Sequence, residues 1–488
     1  MPGVNYFCRI VVAALGAALL FCVPARALAA TEVSIRIDTT SAGQPISPVF
    51  SGLSYETSLV LPDKDGKYYF RADNQPLLNL YKTFGIRHIR IGGNFSDKPT
   101  VPIPVEADID QLFAFAHAAG VKVIYTLRLK GQPDAHLMAP IAKYILDHYG
   151  ENLDCFAIGN EPSIYYKNAY ETYREVWGRF MQQIVAVAPT AMFCGPNTDR
   201  NYEWAVHFAD DFGPTGRIKE INEHAYVGLT ARKWVSPDPD LNAKLSAEAR
   251  DLMLSDQWVK LYQGVYNGFV PAVLADKLPY RLEETNTFFN GGVKGASDTF
   301  TAALWALDYM YWWAEHDASG LNFHTGDTVA AGQEVTPCRY AAYWSTPAGY
   351  DAHPLGYGVA AFSLGGHGNL LPTTVQTPGI HLTAYAVAGD DGAIYLTIVN
   401  KEHGDGAQDA AVSITLPDQF THGAESALVV AGGDIAATSG VTLGGASIAA
   451  DGTWAGSWSD LPAVGQAGHF TLSVPAASAA VFKFSGAR

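Results

Sequence analysis

The sequence predicts an α/β chain in which a closed (β/α)8 TIM barrel precedes a C-terminal β-sandwich. Three observations carry this prediction. From Phe50 to about Leu364, short apolar runs alternate with helical patterns, the signature of repeated βα units around a parallel sheet. Beyond Leu364 the pattern changes to alternating strands with Gly, Ala, Ser and Asp between them. The alternating run Glu32–Asp38 lies too early for the barrel, so we expect it to join the sandwich.

The barrel strands are predicted from the apolar runs, and the helices from periodicity between them. The strands are expected at Phe50–Tyr55, His88–Gly92, Val121–Leu127, Cys155–Asn160, Ala191–Gly195, Glu220–Tyr226, Tyr280–Thr285 and Leu321–His324. The helices are expected at Leu77–Phe84, Ile109–Ala119, Met138–His148, Tyr170–Val187, Trp204–Phe212, Ala247–Tyr262 and Thr299–His316. In such a barrel the active site lies at the C-terminal ends of the strands.

The first thirty residues have the composition of a cleavable secretory signal. Arg9 precedes an apolar run from Ile10 to Val23, and small residues follow at Ala27–Ala30. That run is about 14 residues long, shorter than the roughly 20 that cross a bilayer. We therefore expect a secreted or periplasmic protein without a membrane anchor. The predicted segments are 1–30 as signal peptide, 31–45 as the N-terminal strand of the sandwich, 46–365 as the barrel and 366–488 as the sandwich.

Composition and charge exclude several classes of function. Hydrophobic residues make up 48% of the chain and charged residues 16%, with a formal net charge of −16 that becomes −18 once the two arginines of the signal are removed. Because there is no run of lysine and arginine, a nucleic-acid or polyanion partner is not expected. The spacing of Cys and His resembles no zinc site, and we expect neither a metal nor a cofactor. The sequence leaves the oligomeric state open.

The cysteines predict no disulfide framework. Cys8 and Cys22 leave with the signal, so an odd number, Cys155, Cys194 and Cys338, remains. Cys155 and Cys194 lie in apolar runs typical of strands. We therefore expect them to be small buried hydrophobic residues, with no disulfide holding the fold together.

Glu161 is the first candidate catalytic residue, because it follows the fourth strand. Alternation sends Phe156 and Ile158 towards the helices, so Ala157, Gly159 and Glu161 share the inward parity. A single carboxylate at a strand end is more often a solvated or ion-paired group than a catalyst. A second acid across the barrel changes that balance.

Glu284 is that second acid, on the seventh strand. Leu282 is expected to fill the barrel, so Glu284 should point inward with it and Glu283 outward. Strands four and seven face each other across an eight-stranded barrel, where their carboxyl groups can approach to about 5 Å, the separation of a retaining glycosidase. Arg90, His224 and Tyr226 at other strand ends complete a pattern typical of barrel glycosidases.

Within those enzymes the sequence resembles glycoside hydrolase family 79, the β-glucuronidases and heparanases. The motifs that carry the resemblance are Gly52-Leu53-Ser54-Tyr55-Glu56, Arg90-Ile91-Gly92-Gly93-Asn94, Gly159-Asn160-Glu161-Pro162, Glu284-Thr285-Asn286 with Asn290-Gly291-Gly292, and Asn322-Phe323-His324. The Asn-Glu-Pro motif is shared widely, whereas the glutamate followed by Thr-Asn and paired glycines is narrower. The resemblance covers the barrel and the sandwich.

The resemblance assigns roles to these residues. It implies that Glu161 is the general acid/base, that Glu284 is the nucleophile, and that Tyr226 orients Glu284. It places Asn160 against the sugar 2-hydroxyl. The other substrate-binding residues that we expect are Glu56, Asn94, Asp97, Phe289, Gly291, Gly292 and His324.

One position departs from the family and puts the sugar in question. Family members bind the uronic acid carboxylate with a tyrosine and backbone N–H groups after the nucleophile. Here Phe289 stands where the tyrosine would be, while Gly291 and Gly292 keep the backbone donors. Arg128 or Lys130, after strand three, could instead supply the positive charge for the carboxylate. The more ordinary explanation of these two residues is that they are surface charges on a loop.

The sequence therefore predicts a retaining exo-β-glucuronidase whose partner is a uronic-acid-capped glycoside or oligosaccharide. Three alternatives stay open. Phe289 allows a neutral-sugar β-glycosidase in the same frame. An endo-acting heparanase-like enzyme is disfavoured by the negative charge and the absence of a basic cleft. A non-catalytic carbohydrate-binding protein is disfavoured because both acids are present.

Overall fold

The computed structural model describes residues 30–331, 334–377, 379–462 and 466–486. The predicted signal peptide, apart from Ala30, lies outside the described residues. Within them, a closed eight-stranded parallel barrel stands beside a two-sheet sandwich. The predicted fold class is confirmed.

The barrel strands follow the predicted apolar runs closely, and His88–Gly92 has the predicted bounds. They are β1 (Ser51–Glu56), β2 (His88–Gly92), β3 (Lys122–Leu127), β4 (Leu153–Ile158), β5 (Phe193–Asp199), β6 (Ile218–Tyr226), β7 (Tyr280–Asn286) and β8 (Gly320–His324). Each pairs in parallel with the next, and β8 closes the barrel on β1. Short antiparallel pairs follow β8, formed by Thr328–Ala331 with Glu334–Pro337 and by Tyr343–Thr346 with Gly349–Ala352.

Most of the helices pack around the outside of the barrel, and two of them, Phe300–Glu315 and Pro354–Gly365, are buried on nearly every side because they also contact the sandwich. The helices are Gln75–Phe84, Glu106–Ala119, Met138–Tyr149, Pro162–Tyr165, Tyr170–Val187, Tyr202–Phe212, Pro239–Met253, Asp256–Ala275, Phe300–Glu315 and Pro354–Gly365, with 3-10 turns at Thr57–Val60, Gly213–Thr215, Ala231–Trp234 and Ala431–Gly433. The prediction of one helix over Ala247–Tyr262 is wrong. Ser255 caps a second helix there, its side chain accepting from the backbone N–H of Trp258, so the chain breaks into two helices.

The barrel interior contains a disulfide that the sequence reasoning excluded. Cys155 on β4 and Cys194 on β5 are bonded, with their Cα atoms 6.0 Å apart, while Cys338 is free and buried. Both cysteines pack with Ile124 and Ala157 in a small apolar cluster. The odd count of cysteines says nothing about which two are adjacent. Inward parity on neighbouring strands brings this pair together.

The sandwich consists of two sheets over a separate hydrophobic core. The smaller sheet has the order Thr373–Gln376, Thr31–Ile37, Ala410–Thr415 and His469–Val474. The larger sheet has the order Pro45–Ile46, Gly368–Leu371, Leu382–Gly389, Ile394–Asn400, Ser478–Gly486, Phe420–Val429 and Thr442–Leu443, with Ser459–Asp460 beside Phe420–Val429. The N-terminal strand thus lies in the middle of the smaller sheet, as expected from its alternation.

A buried polar cluster joins the barrel to the sandwich. Asp308, on the helix that precedes β8, forms an ion pair with Lys401 of the sandwich at 2.8 Å. The Asp308 carboxylate also accepts from the hydroxyls of Thr383 and Tyr385. Tyr385 in turn stacks on Tyr311, with ring centroids 4.9 Å apart. Both ends of the ion pair are about 95% buried, since their side chains are 5% and 4% exposed.

None of the helices in the described segments has the combination of length and apolar composition that is needed to span a bilayer.

Candidate active site

A cavity of about 550 Å³ opens at the C-terminal ends of the barrel strands. Sites that bind small molecules are typically concave and of this size. Its walls are formed by Glu56, Asn94, Phe95, Asp97, Lys98, Pro99, Thr100, Lys130, Asn160, Glu161, Ile164, Tyr165, Asp199, Tyr226, Glu284, Phe289, Asn290, His324, Ala330 and Tyr340. The structure therefore brings together all the predicted site residues except Gly291 and Gly292.

Glu161 reaches this cavity from a turn rather than from a strand. β4 ends at Ile158, and the chain then passes through left-handed conformations at Gly159 (φ 83°) and Glu161 (φ 48°). A left-handed glutamate is unusual, and such residues are often found at functional sites. The backbone N–H of Glu161 donates to the carbonyl of Asn197 at 2.9 Å, which fixes the turn.

Glu284 lies in the cavity because of a β-bulge in β7, and the parity argument from Leu282 is wrong. Glu223 of β6 pairs with Leu282, but the next pair is His224 with Glu284, so Glu283 is an extra residue. Leu282 packs in the cluster that contains the surrounding helices. Glu283 therefore faces the barrel interior, not outward, and the bulge places two consecutive glutamates on the inner side.

The Glu284 carboxylate is held by two donors. Nη1 of Arg90 donates to Oε2 at 2.6 Å, and the Tyr226 hydroxyl donates to Oε1 at 2.8 Å. A carboxylate oxygen of Glu161 lies within 4.8 Å of a carboxylate oxygen of Glu284. The two acids thus face each other at the short separation that the positions on β4 and β7 predicted.

The surroundings push the pKa values of the two acids in opposite directions. Burial raises the pKa of Glu161, and the nearby Glu284 and Asp199 carboxylates raise it further, against a hydrogen bond from His224 that lowers it. Burial also opposes ionisation of Glu284, but His324, His224, Arg90 and Tyr226 together lower its pKa below the ordinary value. Glu161 is thus favoured as the protonated acid and Glu284 as the ionised one, the arrangement that acid and nucleophile require.

Glu56 and His324 form a second buried pair on the β1 and β8 side. The backbone N–H of Phe95 donates to Oε2 of Glu56 at 2.8 Å, while Nε2 of His324 lies 3.9 Å from Oε1. Burial raises the pKa of Glu56 to about 7 and lowers the pKa of His324 to about 4. Ser54 Oγ lies 3.1 Å from Nδ1 of His324 and orients the ring.

Asp97 lines the cavity, but its hydrogen bonds are made to neighbouring loops, which it holds in place. Its carboxylate accepts from the backbone N–H groups of Leu129, Lys130 and Asn160, and from the hydroxyl of Tyr165, at 2.8–3.1 Å. Asp97 thereby ties the loops after β3 and β4 together. Its contact with substrate stays a prediction.

Asn160 and Asn94 are both at the cavity wall. Oδ1 of Asn160 accepts from Nη2 of Arg90 at 2.7 Å, so the same guanidinium orients Asn160 and Glu284. Nδ2 of Asn160 donates to Oδ1 of Asn94 at 3.3 Å. Asn160 keeps its amide beside the acid/base candidate, and both asparagines remain predicted sugar contacts.

Phe289 reaches the cavity, whereas the paired glycines do not. The Phe289 ring lies edge-on to Tyr226 and below the guanidinium of Arg200, 5.3 Å from the ring centre. Gly291 and Gly292 have φ of 86° and 83°, and added Cβ atoms would come within 2.5 Å of Thr336 and 2.9 Å of Ser297. The glycines therefore allow a tight turn behind the wall. Because the two glycines are not part of the cavity wall, the structure does not support their predicted contact with a substrate carboxylate.

The two alternative cations after β3 have different surroundings. Arg128 is buried and donates to the carbonyls of Ser96 and Val101, so it supports the loop. Lys130 lines the cavity, with its ammonium group 5.4 Å from the ring centre of Tyr165. Of the two, Lys130 alone is placed to meet a ligand.

Among the residues that the structure describes, two groups of side chains have ligand atoms close enough to hold a metal ion. Glu161, His224 and Glu284 form one group, and Asp154, Cys155 and Glu220 the other. In the first, the Arg90 guanidinium lies 2.6 Å from Glu284 and 3.3 Å from His224, and its charge opposes a cation there. In the second, the Cys155 sulfur is already bonded to Cys194 and is not a thiolate.

Tyr340 and Asp199 are cavity residues that carry polar groups and that sequence reasoning did not single out. Tyr340 has its hydroxyl 3.4 Å from that of Tyr226, and it comes from the irregular segment after β8 that carries no strand-end signal. Asp199 ends β5 and forms an ion pair with Arg200 at 2.8 Å. The position of Asp199 at a strand end was the signal that could have identified it. Glu283 was assigned to the wrong face.

The barrel, the attached sandwich and the facing glutamates define a glycoside-hydrolase-like fold. No known family model matches the chain. Over 301 residues the chain is 24% identical to a β-glucuronidase of Aspergillus niger, covering 52% of this chain and 53% of that protein, so it spans about half the length of this relative. A 4-O-α-L-rhamnosyl-β-D-glucuronidase from Fusarium oxysporum superimposes with a TM-score of 0.65 at 17% identity, covering 92% of this chain and 99% of the other. A family 51 arabinofuranosidase from Xanthomonas axonopodis gives 0.63 at 15% identity, covering 93% and 100%.

Proposed function

We propose that the protein is a retaining exo-β-glycosidase that hydrolyses terminal β-D-glucuronosyl residues. The observation that carries the proposal is that one carboxylate oxygen of Glu161 lies within 4.8 Å of one carboxylate oxygen of Glu284, and that the pKa values of the two acids are shifted in opposite directions. Retaining glycosidases hold their two carboxyl groups about 5–5.5 Å apart, whereas inverting enzymes leave about 6.5–9.5 Å for a water molecule.

The geometry supports a two-step reaction. In the first step Glu284 attacks the anomeric carbon, while the Glu161 carboxyl protonates the departing glycosidic oxygen. In the second step the ionised Glu161 takes a proton from water, which attacks the anomeric carbon and releases Glu284. Arg90 and Tyr226 each donate to a different oxygen of Glu284 and so orient its carboxylate for the attack, and Asn160 is expected to meet the 2-hydroxyl.

The choice of a uronide rests on relatives. A β-glucuronidase shares 24% identity over half of its length, and a structural neighbour acts on a rhamnosyl-glucuronide. A resemblance to family 79 carries the same implication. Lys130 at the cavity wall also supports an anionic substrate, because its ammonium group could form an ion pair with a sugar carboxylate.

A neutral-sugar β-glycosidase is the second candidate. Phe289 offers no hydroxyl to a carboxylate, and Gly291 and Gly292 lie behind the cavity wall. The catalytic roles of Glu161 and Glu284 are the same in both proposals, so only the group at C6 of the sugar distinguishes them.

The test is a panel of matched nitrophenyl β-glycosides that differ at C6: glucuronide, glucoside and xyloside. Proton NMR of the first product formed reports the anomer, and we expect the β-anomer. Preference for the glucoside would replace the uronidase proposal with the neutral one. Initial formation of the α-anomer would refute retention. Binding of sugars without turnover of any glycoside would indicate a carbohydrate-binding protein.

We also propose that the chain is exported, from the signal-like composition of its first thirty residues. The N-terminal residue of the protein recovered from the periplasm or medium of a producing cell tests this. Cleavage after Ala29 or Ala30 is expected, and a chain that keeps Met1 inside the cell would contradict it.

A further inference from the structure

Glu283 is a carboxylate in the barrel interior that the two-step reaction does not use. Its side chain is completely buried. Oε1 lies 3.4 Å from Nη2 of Arg90 and 3.4 Å from Nε2 of His224, and Oε2 accepts from Nδ2 of Asn222 at 2.8 Å. Burying an ionised carboxylate is costly, and such a group persists only when charges and hydrogen bonds offset the loss of water. Because of the bulge in β7, Glu283 lies on the same inner side as Glu284, the residue that follows it.

His224 connects this carboxylate to the general acid/base. Its Nε2 faces Glu283, while its Nδ1 lies 3.2 Å from Oε1 of Glu161 and 4.0 Å from Oε2 of Glu284. The imidazole is 1% exposed. One ring thus spans the distance between Glu283 and the two candidate catalytic acids.

We propose that Glu283 is a positioning residue that acts on Glu161 through His224, by holding the imidazole between the two carboxylates and keeping it positively charged. The inference rests on the proposed function, because it assigns Glu161 the role of acid/base. It goes beyond that function by giving a role to a third buried glutamate.

The charges around the site balance with this assignment. Before the reaction, Arg90 and His224 are positive, Glu283 and Glu284 are negative, and Glu161 carries its proton. After the first step Glu284 is a neutral ester and Glu161 is ionised, so the same total remains. His224 lies within 4.0 Å of both acids and stabilises whichever one is charged.

The directions of the pKa shifts agree with this balance. Burial lowers the pKa of His224, and so does the Arg90 guanidinium, whose Nη2 lies 3.3 Å from Nε2, but the carboxylates of Glu284, Glu161 and Glu283 more than reverse both effects and raise it to about 10. Burial opposes ionisation of Glu283, yet Arg90 and His224 bring its pKa below the ordinary value. The other titratable groups that face this cluster are Glu56, Asp199 with its partner Arg200, Glu223 and His324.

Glu283→Gln tests the proposal, because it removes one charge and keeps the shape. With Arg90 and His224 still positive, the proton of Glu161 is lost more easily, so the alkaline limb of kcat/KM should move down by about one pH unit. Glu283→Asp keeps the charge, and its limb should stay within about 0.3 unit of the native one, well below the shift expected for removal of a charge.

Glu223→Gln is the matched control. Glu223 is a buried glutamate on β6 beside His224, and its carboxylate accepts from the Thr198 hydroxyl at 2.7 Å. Burial raises its pKa well above the ordinary value and so favours its neutral form, and the pH profile of Glu223→Gln should therefore stay that of the native protein. A uniform loss of activity at every pH in Glu283→Gln, with both limbs unmoved, would show a structural role only and overturn the proposal.

The imidazole itself supplies a readout that needs no substrate. In protein labelled with ¹⁵N-histidine, the His224 signal, assigned by its loss in His224→Gln, should remain that of an imidazolium above pH 8 and titrate at least about one unit lower in Glu283→Gln. An unchanged titration would refute the inference even if glycosides are hydrolysed. Absence of turnover would refute the proposed function alone. If Glu283→Gln does not fold, His224→Gln takes its place. Loss of the positive charge beside Glu161 should then move the alkaline limb of kcat/KM to higher pH, and a limb that does not move upward would refute the inference.

Discussion

Replacement of Asp308 by Asn should destabilise the whole protein, because it leaves the ammonium group of Lys401 buried without a counter-charge. The two charged atoms lie 2.8 Å apart, and the side chains are 5% and 4% exposed. Removing one partner of a buried ion pair costs about 3–5 kcal/mol. The unfolding entropy of globular proteins is about 2.1 cal/mol/K per residue, so 488 residues correspond to roughly 1 kcal/mol/K. We therefore expect Tm to fall by about 3–5 °C.

Differential scanning calorimetry and guanidinium unfolding measure this loss, and the double variant Asp308→Asn/Lys401→Met provides the control. Replacing both members of a buried ion pair by neutral groups is often without cost. The double variant should therefore recover most of the stability lost by the single one. A single variant within about 1 kcal/mol of the native protein, or a double variant as unstable as the single one, would refute the electrostatic account of this junction.

Four further predictions concern the catalytic groups and the disulfide. Glu284→Gln should abolish formation of a glycosyl-enzyme detectable by mass spectrometry, whereas Glu161→Ala should still form it from an activated aryl glycoside and be accelerated by azide. The native pH profile should be bell-shaped on the acidic side, since activity is lost when Glu284 gains a proton at low pH and when Glu161 loses one at higher pH; a rate that still rises towards pH 9 would contradict this. Phe289→Tyr should raise the kcat/KM ratio of glucuronide to glucoside by roughly ten- to a hundredfold, since a hydrogen bond to a charged group contributes about 1.5–3 kcal/mol; a lower ratio would refute the assignment. Removal of the Cys155–Cys194 disulfide by a double change to Ala should lower the free energy of unfolding by about 3–4 kcal/mol, from the 39-residue separation of the two cysteines; equal stability of the two proteins would contradict it.

The barrel could be predicted because its strands are short apolar runs that stop at glycine, polar or charged residues. His88–Gly92 is the clearest case, because the predicted and observed bounds of this strand are the same. The inward positions of Cys155 and Ala157 on β4 also follow from alternation. Alternation holds only while a strand is regular, however. It ends at Ile158, before Glu161 is reached, so the position of Glu161 depends on two left-handed residues that no periodicity describes.

The parts of the site that could not be predicted depend on contacts between distant segments. A bulge inserts one residue into β7, and it brings Glu284 to the inner side beside Glu283, although regular alternation would place the two on opposite faces. Nothing in the local pattern of apolar residues marks that insertion. Tyr340 is brought to the cavity by a segment beyond the last barrel strand. Positions at the ends of opposite strands of a closed barrel predict that the two acids face each other, and one carboxylate oxygen of Glu161 lies within 4.8 Å of one of Glu284.

The concentration of charge inside the barrel is better explained by chemistry than by stability. Arg90 contacts Glu283 and Glu284, yet buried ion pairs seldom repay the cost of removing both partners from water. A hydrophobic barrel centre would be as stable or more so. The charged groups therefore make sense as a fixed electrostatic environment for the proposed reaction, in which Glu161 becomes negatively charged when it protonates the leaving group and Glu284 becomes neutral when it forms the ester.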